Sequence, residues 1–380
     1  LAHVVALNSL NLLHKVGLIS LLFSRKPDTS HFTYKNLIFR NRLGIAAGLD
    51  KNGDYIDSLG SLGFGFIEVG TVTPLPQEGN SKPRVFRFSS QQAIVNRLGF
   101  NNKGVEYLVT KLKSRKFEGI VGVNIGSNKN SEGQKQIDDY IECFNKVAPY
   151  CDYITINISS PNTPNLRALH AKENLLPLFR AIKSARENAN YINPIFIKVS
   201  PDESNEIILN IIEAINEYQF DGVIASNTTI NKGELNYDED QDISGGLSGK
   251  PLFNKSTSLL SLIHQNDKDM IKIGVGGVFN KNDFEKKIDS GASLVQVYTS
   301  FIYEGPGIVS KLLYWLLALE VLIVFFVILS LIGAFSFLKP SKKMKALGII
   351  RLQAAKEGFK IGSTSALRKK FKIWTPHVAI

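Results

Sequence analysis

From residue 43 onward one pattern repeats along the chain. Short apolar, β-branched runs end in small or polar residues and give way to longer amphipathic stretches. The runs are LGIAAG at 43, FIEVGT at 66, IVGVNIG at 120, YITINIS at 153, IFIKVS at 195, GVIASN at 222, IKIGVGG at 271 and LVQVYTS at 294. Runs of this length and composition read as buried strands. Eight of them alternating with helices over about 260 residues predict an α/β fold, the (β/α)8 TIM barrel. A doubly wound sheet is the competing architecture, and the count of eight favours the barrel.

A barrel of this kind carries its site at the C-terminal ends of its strands. Those ends supply Ala47, Gly48 and Lys51, then Gly70 and Thr71, Asn124, Asn157 with Ser160, and Lys198. The later strands add Ser226, Asn227 and Thr228, then Gly276 and Gly277, and finally Tyr298 and Thr299. Two lysines, three asparagines and several hydroxyls converge with no carboxylate among them. Such a mouth suits an anionic, planar ligand rich in carbonyl groups. The glycines after the seventh run and the Tyr298–Thr299–Ser300 turn stand where barrels bind phosphate through backbone N–H groups. GVGGVF at 274 is not a dinucleotide fingerprint, because Phe279 occupies the place of its last glycine.

The stretch YITINISSPNT, 153–163, concentrates the most chemistry. Its β-branched half reads as a strand with a polar Asn157 inside it, which needs a partner there. Pro161 holds the following hydroxyls and amides out of strand geometry. Such a loop either satisfies its own backbone or presents Ser160 and Asn162 to a ligand. The long segment from Val72 to about Gly119 carries a second polar patch, Asn96, Arg97, Asn101 and Asn102 around Gly99 and Phe100, able to close over the mouth.

The formal net charge of +11 suggests a nucleic-acid or membrane partner until it is located. Residues 339–380 hold eleven Lys or Arg and one acid, Glu357, which leaves the first 338 residues with 34 basic and 33 acidic side chains. The body is therefore electrostatically ordinary, and no nucleic-acid partner is expected. Two cysteines without a CxxC spacing and six scattered histidines indicate neither a disulfide framework nor a metal site. No secretory signal is visible at the N-terminus.

On AAGLDKNG (46–53), EVGTVTP (68–74), KPRVFR (82–87), NRLGFNNKG (96–104), INISSPNTP (156–164), IASNTT, GGLSGKPL (245–252), GVGGV and VQVYTSFIYEGP, the chain resembles the membrane-associated, quinone-dependent (class 2) dihydroorotate dehydrogenases over about residues 2–307. The resemblance implies oxidation of (S)-dihydroorotate to orotate in de novo pyrimidine biosynthesis, with FMN as hydride acceptor and a membrane quinone as terminal acceptor. It implies that Ser160 is the base at dihydroorotate C5, with Thr163 as a relay and Lys51 beside it. Lys51, Asn96, Arg97, Leu98, Gly99, Phe100, Asn157, Asn162, Asn227 and Thr228 would hold the substrate. Ala47, Gly48, Leu49, Asp50, Lys51, Thr71, Asn124, Asn157, Lys198, Ser226, Gly249, Gly277, Tyr298 and Thr299 would hold FMN. His3, Arg87 and Tyr298 match positions near the quinone headgroup. Two other readings are a related flavin barrel with another pyrimidine or a soluble acceptor, and a non-enzymatic membrane scaffold. Ser160, where the soluble class has cysteine, and the apolar N-terminus argue against the first; the complete polar set argues against the second.

Four regions follow. Residues 1–30 form a helical hood, 31–311 the FMN-binding barrel, 312–338 a hydrophobic helix and 339–380 a basic tail. The hood's apolar residues, Val4, Leu7, Leu10, Leu13, Ile19, Leu22 and Phe23, are spaced for helices that pack on a domain, lie on a lipid bilayer, or do both. The resemblance favours the bilayer, at the cytoplasmic face of a bacterial inner membrane. Val321 to Leu338 are 18 uncharged, mostly apolar residues, and extension back to Leu312 gives 27 with only Glu320 inside. That length suffices to span a membrane or to lie in its interface.

Overall fold

The computed structural model describes residues 2–19, 31–162, 166–233, 235 and 243–313. All eight runs are strands: β3 (Leu43–Ile45), β4 (Phe66–Val72), β7 (Ile120–Ile125), β8 (Tyr153–Asn157), β9 (Ile195–Val199), β10 (Gly222–Ala225), β12 (Ile271–Val275) and β13 (Leu294–Val297). They close into one parallel barrel, each paired with the next and β13 returning to β3 through Val295–Leu43 and Val297–Ile45. These strands are buried on both faces, because helices cover the outside and side chains fill the lumen. That is why the runs are continuously apolar instead of alternating.

The lumen is filled from the bottom by aromatic rings. Phe66 meets Tyr153 edge-on at 6.4 Å, and Tyr153 meets Phe196 at 5.3 Å. A hairpin of β1 (Phe32–Tyr34) and β2 (Leu37–Phe39) plugs that end, with Phe39 standing 5.4 Å from Phe66. Glycines admit the rings. A Cβ at Gly122 would lie 2.0 Å from Tyr153 Cζ. Gly122→Ala is therefore expected to lose ~1–3 kcal/mol of stability through overpacking, read as a lower urea midpoint at unchanged slope.

Helices α2 (Ile56–Gly60), α3 (Val105–Ser114), α4 (Gln134–Val147), α5 (Lys172–Asn188), α6 (Asn205–Glu217), α7 (Phe253–Asn266) and α8 (Lys281–Asp289) link successive strands. Their starts are set locally. Ser204 caps α6 by accepting from Ile207 N, and Asn280 and Asp283 form a capping box on α8. After β13 the chain forms the short helices α9 (Thr299–Glu304) and α10 (Ile308–Leu313).

Five strands were not expected from the pattern, the two of the hairpin and three more. β5 (Val85–Phe88) and β6 (Ala93–Asn96), in the long segment after β4, form an antiparallel sheet with β11 (Gly246–Gly249), from the segment after β10. This sheet roofs the C-terminal mouth. At the N-terminus, α1 (Ala2–Lys15) buries Leu7 and Leu10 and is tied to α2 and the turn before it. Tyr55 donates to Asn8 Oδ1 at 2.8 Å, and His14 Nδ1 lies 3.1 Å from Ser61 Oγ. Val4, Val5, Leu12 and Val16 are 52–62% exposed, an apolar surface left uncovered. No helix among the described residues is long and apolar enough to cross a membrane. The proposed span of 312–338 and the tail lie outside the described residues, apart from Leu312 and Leu313 in α10.

Candidate active site

The strand ends and the roof enclose a cavity of about 980 Å³, its mouth included. Of the residues expected at the site, it is lined by Ala47, Gly48, Lys51, Thr71, Asn96, Leu98, Gly99, Phe100, Asn157, Ser160, Asn162, Lys198, Ser226, Asn227, Thr228, Gly249, Gly277, Tyr298 and Thr299. Residues separated by up to 250 positions thus share one chamber.

Ser160 stands immediately past β8, 6% exposed, and its hydroxyl accepts only a long bond of 3.3 Å from Asn162 N among the described residues. Its proton is therefore not committed to a strong acceptor there. Amides surround it. Asn162 Nδ2 donates to Asn96 Oδ1 at 3.3 Å, and Asn80 Nδ2 to Asn162 O at 3.1 Å, so the loop after β8 is pinned to the roof. Asn157 Nδ2 donates to Thr71 Oγ1 at 3.0 Å and to Asn124 Oδ1 at 3.1 Å. Its Oδ1 accepts from Asn227 Nδ2, which also reaches Ser159 Oγ. Tyr140 clamps the strand from outside, donating to Asn157 O at 2.6 Å. The side chain suspicious for its cost inside a strand is thus fully partnered.

The two lysines differ. Lys51 Nζ donates to Gly48 O at 2.8 Å. Burial, assisted by the positive Arg84, brings its pKa down to about 8, while Asp50 opposes the shift. Lys198, on β9, is also pushed down by burial and held up by Glu68. No described residue hydrogen-bonds its ammonium, which leaves it available to a ligand in the cavity.

Glu68 is the residue that a reading of strand ends passes over. It sits mid-strand in β4, fully buried. Its carboxylate accepts from Asn124 Nδ2 at 2.8 Å, Tyr153 OH at 3.0 Å and Gln296 Nε2 at 2.7 Å. This carboxylate pushes the Tyr153 hydroxyl, already raised by burial, further up. An acid inside an otherwise apolar buried run was the available signal.

Some expected residues stand outside the cavity. Leu49 is core, and its carbonyl faces His3 Nε2 at 3.1 Å. Asp50 accepts from the N–H groups of Asp54 and Tyr55, shaping the loop that presents Lys51, and burial raises it to about 6. Asn124 lies one layer below, between Thr71, Asn157 and Glu68. Arg97 turns its guanidinium to Pro83 O and Ser244 Oγ, away from the chamber. Arg87 is exposed on β5; burial first and Lys51 next lower the pKa of His3, and the Arg87 charge adds a smaller contribution. Thr163 lies outside the described residues. Ser248, Leu252, Val278, Phe279 and Gln296, none of them expected at the site, also line the wall, as do the expected Gly276 and Ser300.

The wall also fits a flavin. Gly249, at φ +99°, brings the chamber against the roof, where a Cβ would lie 2.2 Å from Gln92 O. Gly277, at φ +77°, lies against the start of α7, where a Cβ would stand 2.5 Å from Phe253 Cα. Both are close backbone approaches that only glycine permits. Tyr298, whose hydroxyl burial pushes up to about 12, covers Gly48. The barrel, the Lys198 ammonium unbonded among the described residues and this donor-rich chamber suit a planar, anionic ligand of a flavin's size.

Residues 30–319 match the family model described as dihydroorotate dehydrogenase. The chain is 45% identical over 299 residues to the dihydroorotate dehydrogenase (quinone) of Saccharophagus degradans, covering 76% of this chain and 87% of the relative. It is 45% identical over 318 residues to the enzyme of the same name from Buchnera aphidicola, covering 82% and 94%. A crystal structure of DHODH from Eimeria tenella in complex with ferulenol superposes with a TM-score of 0.70 at 33% identity, over 80% of this chain and 89% of that one. The chain belongs to the dihydroorotate dehydrogenase family, in its quinone-dependent class.

Proposed function

We propose that the chamber binds (S)-dihydroorotate over FMN and oxidises it to orotate, with a membrane quinone as the final acceptor. The observation that carries this reading is the convergence of the Lys51 ammonium, four asparagine amides and the Ser160 hydroxyl on one cavity. FMN supplies a hydride acceptor and returns electrons to quinone. Lys51 holds the substrate carboxylate, Asn96, Asn162, Asn227 and Thr228 donate to or accept from the ring amide groups, and Asn157, bonded to Thr71, Asn124 and Asn227, fixes that wall of the substrate site. Ser160 Oγ receives the C5 proton, a task in which position and exclusion of water compensate for a weak base. Thr163, three residues on in sequence, is the relay. Lys198 offsets negative charge as it develops on the ring system.

The exposed Val4, Val5, Leu12 and Val16 of the hood support seating on a lipid bilayer by an apolar face. His3, whose pKa Arg87 contributes to lowering, and Tyr298 in the chamber wall support the quinone approach on this side. Purified protein is expected to be yellow and to reduce a soluble quinone analogue when given dihydroorotate. A colourless preparation inactive after FMN addition would overturn the reading.

The pKa of Lys51 sets a pH dependence. The ammonium is charged below about 8 and loses its proton above it. The KM for dihydroorotate is therefore expected to climb about tenfold per pH unit above that point, with little change below. Lys51→Met should show a high KM that no longer depends on pH, checked by steady-state kinetics from pH 6.5 to 9.5. A flat wild-type KM would remove Lys51 from carboxylate binding.

A further inference from the structure

Lys287 is a lysine shut away from water. It lies on α8, fully buried, with its ammonium 2.7 Å from Ser256 Oγ and 5.2 Å from the centre of the Phe253 ring. No carboxylate among the described residues pairs with it. Asp283, one turn earlier, is the acid that reaches it, but that carboxylate accepts from Phe279 N and Asn280 N. Lys286 shares the Phe253 ring and adds positive charge. From neighbouring helices, Lys255 is committed to Asp202, His264 packs on Gly291, and Lys311 pairs with Glu304. Burial accordingly pulls Lys287 down to about 7. A buried ammonium with one neutral partner is costly, and an anion nearby would relieve it.

The Ser256 bridge points to where that anion sits. Ser256 Oγ also lies 3.2 Å from Gly276 O, and a Cβ on Gly276 would come within 2.8 Å of the hydroxyl. Gly276 and Gly277 form the cavity wall facing the start of α7. Asp283 holds the N–H groups of Phe279 and Asn280, two and three residues further along the same turn. One helix thus grips the glycine turn twice, once by a carboxylate and once by a lysine acting through a serine.

We propose that Lys287 is a positioning residue for the FMN phosphate, and that phosphate binding at the Gly276–Gly277 turn draws a solvent proton onto Lys287 Nζ. The inference rests on the FMN reading given above. No bond to the phosphate forms and none breaks; one proton moves from buffer to the lysine, and the added positive charge holds the turn and the dianion together.

The test is calorimetry of the full chain, freed of flavin, at pH 8 in two buffers of different ionisation enthalpy. At this pH the FMN phosphate is already a dianion. FMN should bind with uptake of about one proton more than riboflavin, which lacks the phosphate but shares any contribution from Lys51. Lys287→Met should abolish that difference and weaken FMN roughly tenfold or more while leaving riboflavin affinity unchanged. Equal proton uptake with both flavins would overturn the proposal, as would a variant that weakens both flavins alike. The comparison of the two flavins on wild-type protein decides the matter even if the variant fails to fold. Wild-type protein that binds neither flavin would overturn the cofactor reading and this inference with it.

Discussion

Ser160→Ala should retain its flavin and lose flavin reduction by dihydroorotate about 10²–10⁴-fold in stopped-flow absorbance. The side chain makes one weak contact among the described residues, the 3.3 Å bond from Asn162 N, so its removal leaves the amide network standing. A loss confined to the reductive step, with oxidation of the reduced flavin by quinone unchanged, would mark the hydroxyl as the proton acceptor. Ser160→Cys should recover part of the rate with a pH profile displaced downward, because a thiol ionises near 8.5 and a hydroxyl far above it. Near-normal reduction in the alanine variant would refute the assignment.

Glu68→Ala should be the most destabilising single change in the lumen, at ~3–5 kcal/mol. The substitution strands three buried donors, Asn124 Nδ2, Tyr153 OH and Gln296 Nε2, and removes the negative charge facing Lys198. Each unpaired donor carries a desolvation cost that a water could recover only where space allows, and Phe66, Tyr153 and Phe196 leave little. Urea unfolding measures the loss directly. Glu68→Gln separates the two contributions: it keeps the shape and gives up the charge, so it should cost less stability yet still change the affinity for oxidised flavin through Lys198. A loss below about 1 kcal/mol in Glu68→Ala would show the network to be dispensable.

The barrel was legible because its strands are buried on both faces, and a run such as IFIKVS cannot be mistaken for a half-exposed strand. The mouth was legible for the same reason: polar residues that end apolar runs have nowhere to go but the strand ends. What the runs could not convey is pairing between segments that lack a strand's composition. GLSG at 246–249 has two glycines and no β-branched residue, yet it forms β11 because β6 offers it a free edge. The direction of a long side chain was equally hidden. Arg97 belongs to the polar patch around Gly99, but Ser244 and Pro83 O capture its guanidinium. Asn124 and Asp50 act beneath the surface at which their positions had suggested contact.

The roof joins Ala93 to Gly249 and Asn96 to Gly246, residues about 150 positions apart, and barrel closure joins Leu43 to Val295. Both pairings connect early chain to late chain, the kind of contact that makes folding slow. A chain emerging from the ribosome has all three roof strands before it has β12 and β13, and therefore has the ceiling of the chamber before the barrel beneath it can close. During that interval the apolar strands β3 and β10 present unpaired edges where β13 and β12 will later bind. Assembly of the enzyme is most exposed to aggregation at this stage, and supply of flavin matters for yield as well as for turnover.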